Sequence, residues 1–245
     1  MRSIVSFFAI LMVSALCVFA QPANGAGSGE PKAEFAAERE MAGKAQNAHG
    51  GEKLRKMTSL VIRGSVGISF SAQTIPATFV TVFSGDKYRF ELNNPFQPIV
   101  QVNDGTQASA SVGNGITLPP LNRIGFPVLQ RIGDFGFIVT ALPEEKRKKG
   151  GFRVTSPEGV VTDFFIDTKT GMIKGYDSAY EFGGRTGTTS VEIDKYRLVD
   201  GVQIPERYVQ RFDLGPNTIY ADFKAKDILV NSELAADVFT IAPGR

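Results

Sequence analysis

Leu60-Val61-Ile62-Arg63-Gly64-Ser65-Val66-Gly67-Ile68-Ser69-Phe70 is the stretch on which the fold turns. Leu60, Ile62, Val66, Ile68 and Phe70 alternate with Arg63, Ser65, Gly67 and Ser69. A period of two buries one face of a strand and leaves the other in water. Downstream, Tyr88, Phe90 and Leu92 repeat the alternation against Lys87, Arg89 and Glu91. Later runs are Met172, Tyr176, Tyr180 and Phe182, then Ile204, Tyr208 and Phe212, then Ile219, Ala221 and Phe223. Turn chemistry separates them: Ser84-Gly85-Asp86, Asn103-Asp104-Gly105, Ser156-Pro157-Glu158-Gly159, Asp167 to Gly171, Asp200-Gly201 and Leu214-Gly215-Pro216-Asn217. Strands joined by short turns are antiparallel. The expected architecture is mostly β, a meander of about ten strands.

Upstream of Leu60 the period becomes helical. Ala33, Ala37, Met41, Ala45 and Ala48 form a thin apolar stripe over residues 33–48, and Gly50-Gly51 suits its left-handed end. Glu52 to Met57 reads as a further turn with Leu54 and Met57 inward. Residues 21–32, rich in Pro, Gly, Ala and Ser, read as a flexible leader. Residues 1–20 have the parts of a cleaved secretory signal: Arg2, the apolar run Ile4 to Phe19, and Val18-Phe19-Ala20 before Gln21. Cys17 follows Leu16 inside that run, which does not suit lipoprotein processing, so it reads as a small hydrophobe of the signal. The expectation is an exported, soluble periplasmic chain with one domain over residues 33–245.

Residues 116–135 break the β pattern. Pro119, Pro120 and Pro127 stand among Leu118, Leu121, Ile124, Phe126, Val128, Leu129, Ile132 and Phe135. Leu121, Ile124, Val128 and Ile132 fit one helical face, which Pro127 is expected to kink or end. Such an insertion is expected to pack on the concave face of a curved sheet as a movable cover. Residues 144–151 read as a charged hairpin tip, either simply solvated or a docking patch for an acidic partner or anionic lipid headgroups.

The 27 Lys and Arg nearly balance 25 Asp and Glu, so nothing suggests nucleic acid. Loss of Cys17 with the signal would remove disulfides, thiolate nucleophiles and zinc–thiolate sites together. The single histidine, His49, is expected beside the carbonyls that end the first helix, not as a base. Ser84-x-x-Lys87 and Lys169-Thr170-Gly171 match two elements of penicillin-recognising serine enzymes, but both fall on turns and the third is missing. Asp86, Glu91, Asp163, Asp167, Asp177, Glu181 and Asp194 are expected on polar faces or in turns, with no pair set apart. Neither a metal, a cofactor nor a catalytic residue is expected.

Several motifs in order resemble one family. Ala48-His49-Gly50-Gly51 precedes Glu52-Lys53-Leu54-Arg55-Lys56-Met57-Thr58-Ser59-Leu60. Asp163-Phe164-Phe165-Ile166-Asp167 precedes Thr170-Gly171, and Tyr196-Arg197-Leu198-Val199-Asp200-Gly201-Val202-Gln203-Ile204-Pro205 forms a hairpin motif. Val230-Asn231 with Leu234, Phe239 and Pro243 closes the chain. The set resembles the LolA/LolB-like superfamily of outer-membrane lipoprotein-sorting proteins. The resemblance implies a strongly curved antiparallel sheet, an incomplete or half β-barrel, with an N-terminal helix and a helical or loop cover on its concave face. It implies acyl chains of lipoproteins or other lipids as ligands, and membrane-bound donor and acceptor proteins as partners. It also implies a functional arginine, for which Arg63 and Arg89 are candidates on polar strand faces. Inward residues Ile62, Val66, Ile68, Phe70, Phe79, Tyr88, Phe90 and Leu92, with Leu121, Ile124 and Phe126 of the cover, are expected to line the apolar cavity. The expected function is a monomeric carrier. An envelope-stress sensor that holds a protein partner is the alternative, and a hydrolase comes last.

Overall fold

The computed structural model describes residues 34–70, 73–111, 119–182, 185–214 and 217–241. The segments read as signal and leader lie outside the described residues. Twelve strands are described: β1 (Leu60–Phe70), β2 (Gln73–Ser84), β3 (Lys87–Asn93), β4 (Ile99–Asn103), β5 (Ala108–Ala110), β6 (Ile138–Thr140), β7 (Gly151–Thr155), β8 (Val161–Ile166), β9 (Ile173–Phe182), β10 (Arg185–Val199), β11 (Val202–Leu214) and β12 (Asn217–Val230). They form one antiparallel sheet in the order β5-β4-β3-β2-β1-β12-β11-β10-β9-β8-β7-β6. The expected meander is present as two halves, and pairing of β1 with β12 joins them (Leu60 opposite Val230, Val66 opposite Phe223). The edges β5 and β6 do not pair, so the sheet stays open as a half-barrel.

The chain leaves one edge of the sheet at β5 and re-enters at the other with β6. The described part of the segment between them, from Pro119 onward, covers the inward face of the sheet. It carries a 3-10 turn (Leu121–Arg123) and a short helix. Two helices precede the sheet, α1 (Ala36–Ala48) and α2 (Glu52–Arg55); α3 (Phe126–Arg131) is the helix of the crossing segment. α1 packs on β6, β7 and α3.

Three local expectations are corrected. Leu121 to Ile132 is not one helical face: Pro127 stands in the first turn of α3 and starts the helix instead of kinking it. Its missing N–H costs nothing there and its fixed φ suits the helix. The buried side of α1 carries Ala42, Ala45 and Gln46, with Ala37 exposed, because Gln46 turns inward to meet α3. Residues Glu144–Lys149 are a 3-10 turn whose Lys146 reaches Asp163 at 2.9 Å and Asp177 at 2.8 Å. Asp163 is therefore buried, not on a wet face. Burial pushes its carboxyl up, but hydrogen bonds and charge from Arg153 and Lys146 outweigh that and hold it below the usual carboxylate range.

Candidate functional site: a roofed apolar cavity

The register places the eight strand residues expected to face inward on one side of the sheet. Ile62 stands opposite Thr81, Thr81 opposite Phe90, and Phe90 opposite Gln101. A second row runs Val66, Phe223, Tyr208 and Ile193 across β1, β12, β11 and β10. A third runs Ile68, Ala221, Gln210, Val191 and Tyr176 from β1 to β9.

One cavity of about 120 Å³ opens along this face, with Gln101 of β4 and Tyr176 of β9 both in its wall. Strands β4 and β9 are separated by six others, on the order of 30 Å along a flat sheet at about 4.8 Å per strand. A shared cavity therefore requires the sheet to curl around it. The floor is Leu60, Ile62, Phe83, Phe90, Val191, Ile193, Tyr208, Phe212 and Phe223; Pro119, Leu121, Ile124, Phe126 and Pro127 form the roof.

Of the expected residues, Ile62, Phe90, Leu121, Ile124 and Phe126 come together on the cavity. Val66, Phe79 and Leu92 are buried in the core beside it, with Phe79 edge-on to Phe223 at 5.0 Å between ring centroids. Tyr88 is buried and its hydroxyl accepts a 2.7 Å hydrogen bond from Gln101. Burial raises that hydroxyl to about 12, against an opposing backbone hydrogen bond at Leu121. Ile68 is half-buried against the core, and Phe70, 46% exposed, lies at the far end of β1 away from the cavity. Arg63 is exposed, while Arg89 bonds Glu91 and the Val238 carbonyl; neither lines the cavity.

The sequence reading missed Leu60, Thr81, Phe83 and Gln101 in the first half of the sheet, and in the second half it missed the whole wall that includes Tyr176, Val191, Ile193, Tyr208, Phe212 and Phe223. The alternation of Tyr208 with Phe212 and of Ala221 with Phe223 was the available signal. Only the pairing of β1 with β12 shows that they share a face with Ile62.

The two glutamines of the cavity wall bond protein partners. Gln101 also donates to the Pro119 carbonyl at 3.1 Å, and Gln210 donates to the Thr189 hydroxyl at 2.9 Å. Burial pushes the Tyr176 and Tyr208 hydroxyls well above the ordinary phenol value.

The roof is held at its rim. Gln46 of α1 donates to the Leu129 and Ile132 carbonyls at 3.0 and 2.9 Å, meeting the free carbonyl end of α3. Gln130 donates to the Met57 carbonyl at 2.7 Å. In the β2–β3 turn, Asp86 accepts from both Arg123 (2.8 Å) and Arg131 (2.6 Å) of the crossing segment. Burial raises the Asp86 carboxyl, but the hydrogen bonds and charges of the two arginines outweigh this and keep it below the usual carboxylate range. The turn that carries Ser84 and Lys87 is thus a clamp for the roof. Arg123 further pairs with Glu158 at 2.8 Å.

His49 sits beneath the roof, fully buried, edge-on to Tyr196 at 5.1 Å and to Phe126 at 6.4 Å. Its Nδ1 bonds the Ala45 carbonyl at 2.8 Å, where the end of α1 was expected to hold it. Burial lowers its pKa, partly opposed by that bond, so the ring is neutral.

No protein-family model and no curated protein sequence matches this chain. Solved structures resemble it in fold. A DUF1329 family protein from Desulfovibrio piger is 9% identical with a TM-score of 0.49, over 82% of this chain and 96% of that one. A LolA superfamily protein from Nitrosomonas europaea is 12% identical with a TM-score of 0.49, over 80% and 97%. An outer membrane lipoprotein-sorting protein domain from Vibrio parahaemolyticus is 9% identical with a TM-score of 0.42, over 83% and 96%.

Proposed function

We propose that this protein is an exported carrier that takes the acyl chain of a lipoprotein or another lipid into the cavity and passes it between membrane-bound donor and acceptor proteins. The observation that carries the reading is an apolar cavity on the concave face, roofed by a segment attached mainly through side-chain bonds at its rim. With Gln101 and Gln210 already bonded to protein partners, the cavity offers a ligand mostly hydrophobic contact.

About 12–15 methylenes at about 0.8 kcal/mol each favour a buried chain over water by on the order of 10 kcal/mol. A bilayer offers a similar gain. Exchange between membrane and carrier is therefore nearly balanced, and cargo can be taken up and released without covalent chemistry. A water needs about 10–15 Å³ of such space, so the resting cavity holds on the order of ten waters. That suits the end of an acyl chain, and a longer chain needs the roof to lift.

Phe90→Asp tests the reading, because a carboxylate in the floor must be desolvated by any chain that enters. Displacement titrations with a fluorescent fatty acid should show affinity at least about tenfold weaker in a variant whose circular dichroism is unchanged. Unaltered uptake by the folded variant would place lipid elsewhere and defeat the proposal.

A further inference from the structure

Beside the apolar cavity lies a second, smaller and polar pocket of about 20 Å³. We propose that it receives the first polar linkage of the bound acyl chain and selects chains joined through an amide N–H over ester-linked ones. This rests on the acyl-carrier reading above and names the ligand class more narrowly.

The two spaces share Leu60, Phe83, Phe126 and Pro127 as walls, so a chain lying in the large cavity has the small pocket at its flank. The polar lining of the small pocket includes Ser59, Ser84, Asn122, Gln130 and Arg131. Asn122 is only 5% exposed. Its Nδ2 donates to the Asp86 carbonyl at 2.8 Å, and because a carbonyl can only accept, this bond fixes which way the amide points. Its Oδ1 is left buried with no partner among the described residues. A buried acceptor in this state is costly, and a ligand that brings a donor relieves it.

Arg131 supplies the complement. Its guanidinium carries five N–H donors in a fixed fork. Its Nε donates to Asp134 and its Nη1 to Asp86, both at 2.6 Å, and the same side chain lines the pocket. An N-acyl linkage has a carbonyl oxygen for the arginine and an N–H for Asn122 Oδ1. An ester has the same carbonyl but no donor, so Oδ1 stays unpaired. Sites built to hydrogen-bond a donor reject the analogue that lacks it. The pocket has room for about one or two waters by volume, which is also the size of a single linkage.

Three ligands that differ only at the linkage decide the matter: N-methyltetradecanamide, methyl tetradecanoate and N,N-dimethyltetradecanamide. Each is titrated against a fluorescent fatty acid bound to the purified protein. The N–H amide should bind about tenfold more tightly than both the ester and the dimethyl amide. In Asn122→Leu that preference should fall to about one while the ester retains its affinity. If all three bind the wild-type protein equally, water satisfies Asn122 and the selective subsite is overturned, with the carrier reading intact. If neither the fatty acid nor any of the three binds, the carrier reading itself fails. The wild-type comparison stands even if Asn122→Leu does not fold.

Discussion

Gly125 stands at φ 62°, and a Cβ there would lie 2.3 Å from Cζ of Tyr176. The roof backbone thus rests on an aromatic ring of the cavity wall, in a conformation that favours glycine. Gly125→Ala combines backbone strain with a clash and should cost about 1–3 kcal/mol, read as a lowered Tm. It should also speed exchange of bound fatty acid, because the roof can relieve the clash only by lifting. His49 ties stability to pH. Its pKa is lowered in the folded state, so the unfolded chain binds the extra proton first as pH falls. The stability tied to the neutral ring is present above the ordinary histidine value and is lost as pH drops through the lowered folded value. His49→Asn, which keeps a donor for the Ala45 carbonyl, should flatten the fall in Tm between about pH 7 and pH 5. The place of His49 at the end of α1 was legible because Gly50 and Gly51 follow it. Its burial was not, since Phe126 and Tyr196 reach it from distant parts of the chain.

The crossing segment roofs the cavity, and two of its arginines share one carboxylate at the rim. Asp86→Asn leaves Arg123 and Arg131 without their shared charge. The pairs are partly exposed, so the global cost should be about 1 kcal/mol or less. The local effect should be larger: amides of residues 119–131 should exchange hydrogen faster in the variant, with the strands unchanged. Acid should act the same way. The carboxyl is held low, so the clamp is intact throughout the neutral range and opens only as pH falls through that depressed value. Composition identified this segment as an apolar cover, and Leu121, Ile124 and Phe126 are in the roof. Its internal form was misjudged because Pro127 reads identically as a breaker and as a helix start. Only the neighbouring turn at Gly125 separates the two, and the Tyr176 ring packed against Gly125 lies outside any local window.

Across the whole molecule, closure of β1 onto β12 makes the cavity. Gly64 is central to that seam: a Cβ there would lie 2.0 Å from the Lys224 carbonyl oxygen and 2.9 Å from Phe79. The pairing shifts register between Arg63 and Gly64. Gly64→Ala should therefore destabilise the protein by about 2–4 kcal/mol, measured by urea denaturation, with loss of fatty-acid uptake. Alternation within β1 and β3 was enough to assign one face correctly, since a period of two needs only local sequence. It was not enough to say how far along that face the cavity runs. Val66 and Leu92 fall into solid core and Phe70 beyond the cavity, because the packing of the roof, not the strand period, sets its limits. The opposite wall depends on a pairing between chain segments far apart in sequence, which no local pattern encodes. On the proposed function, this wall, floor and roof hold an acyl chain. Native mass spectrometry of the protein purified from the cells that make it, with organic extraction of bound material, tests for that chain. Near-stoichiometric bound lipid or acylated peptide is expected, lost in Phe90→Asp. A clean protein mass, with no uptake of added lipid or lipopeptide, would contradict it.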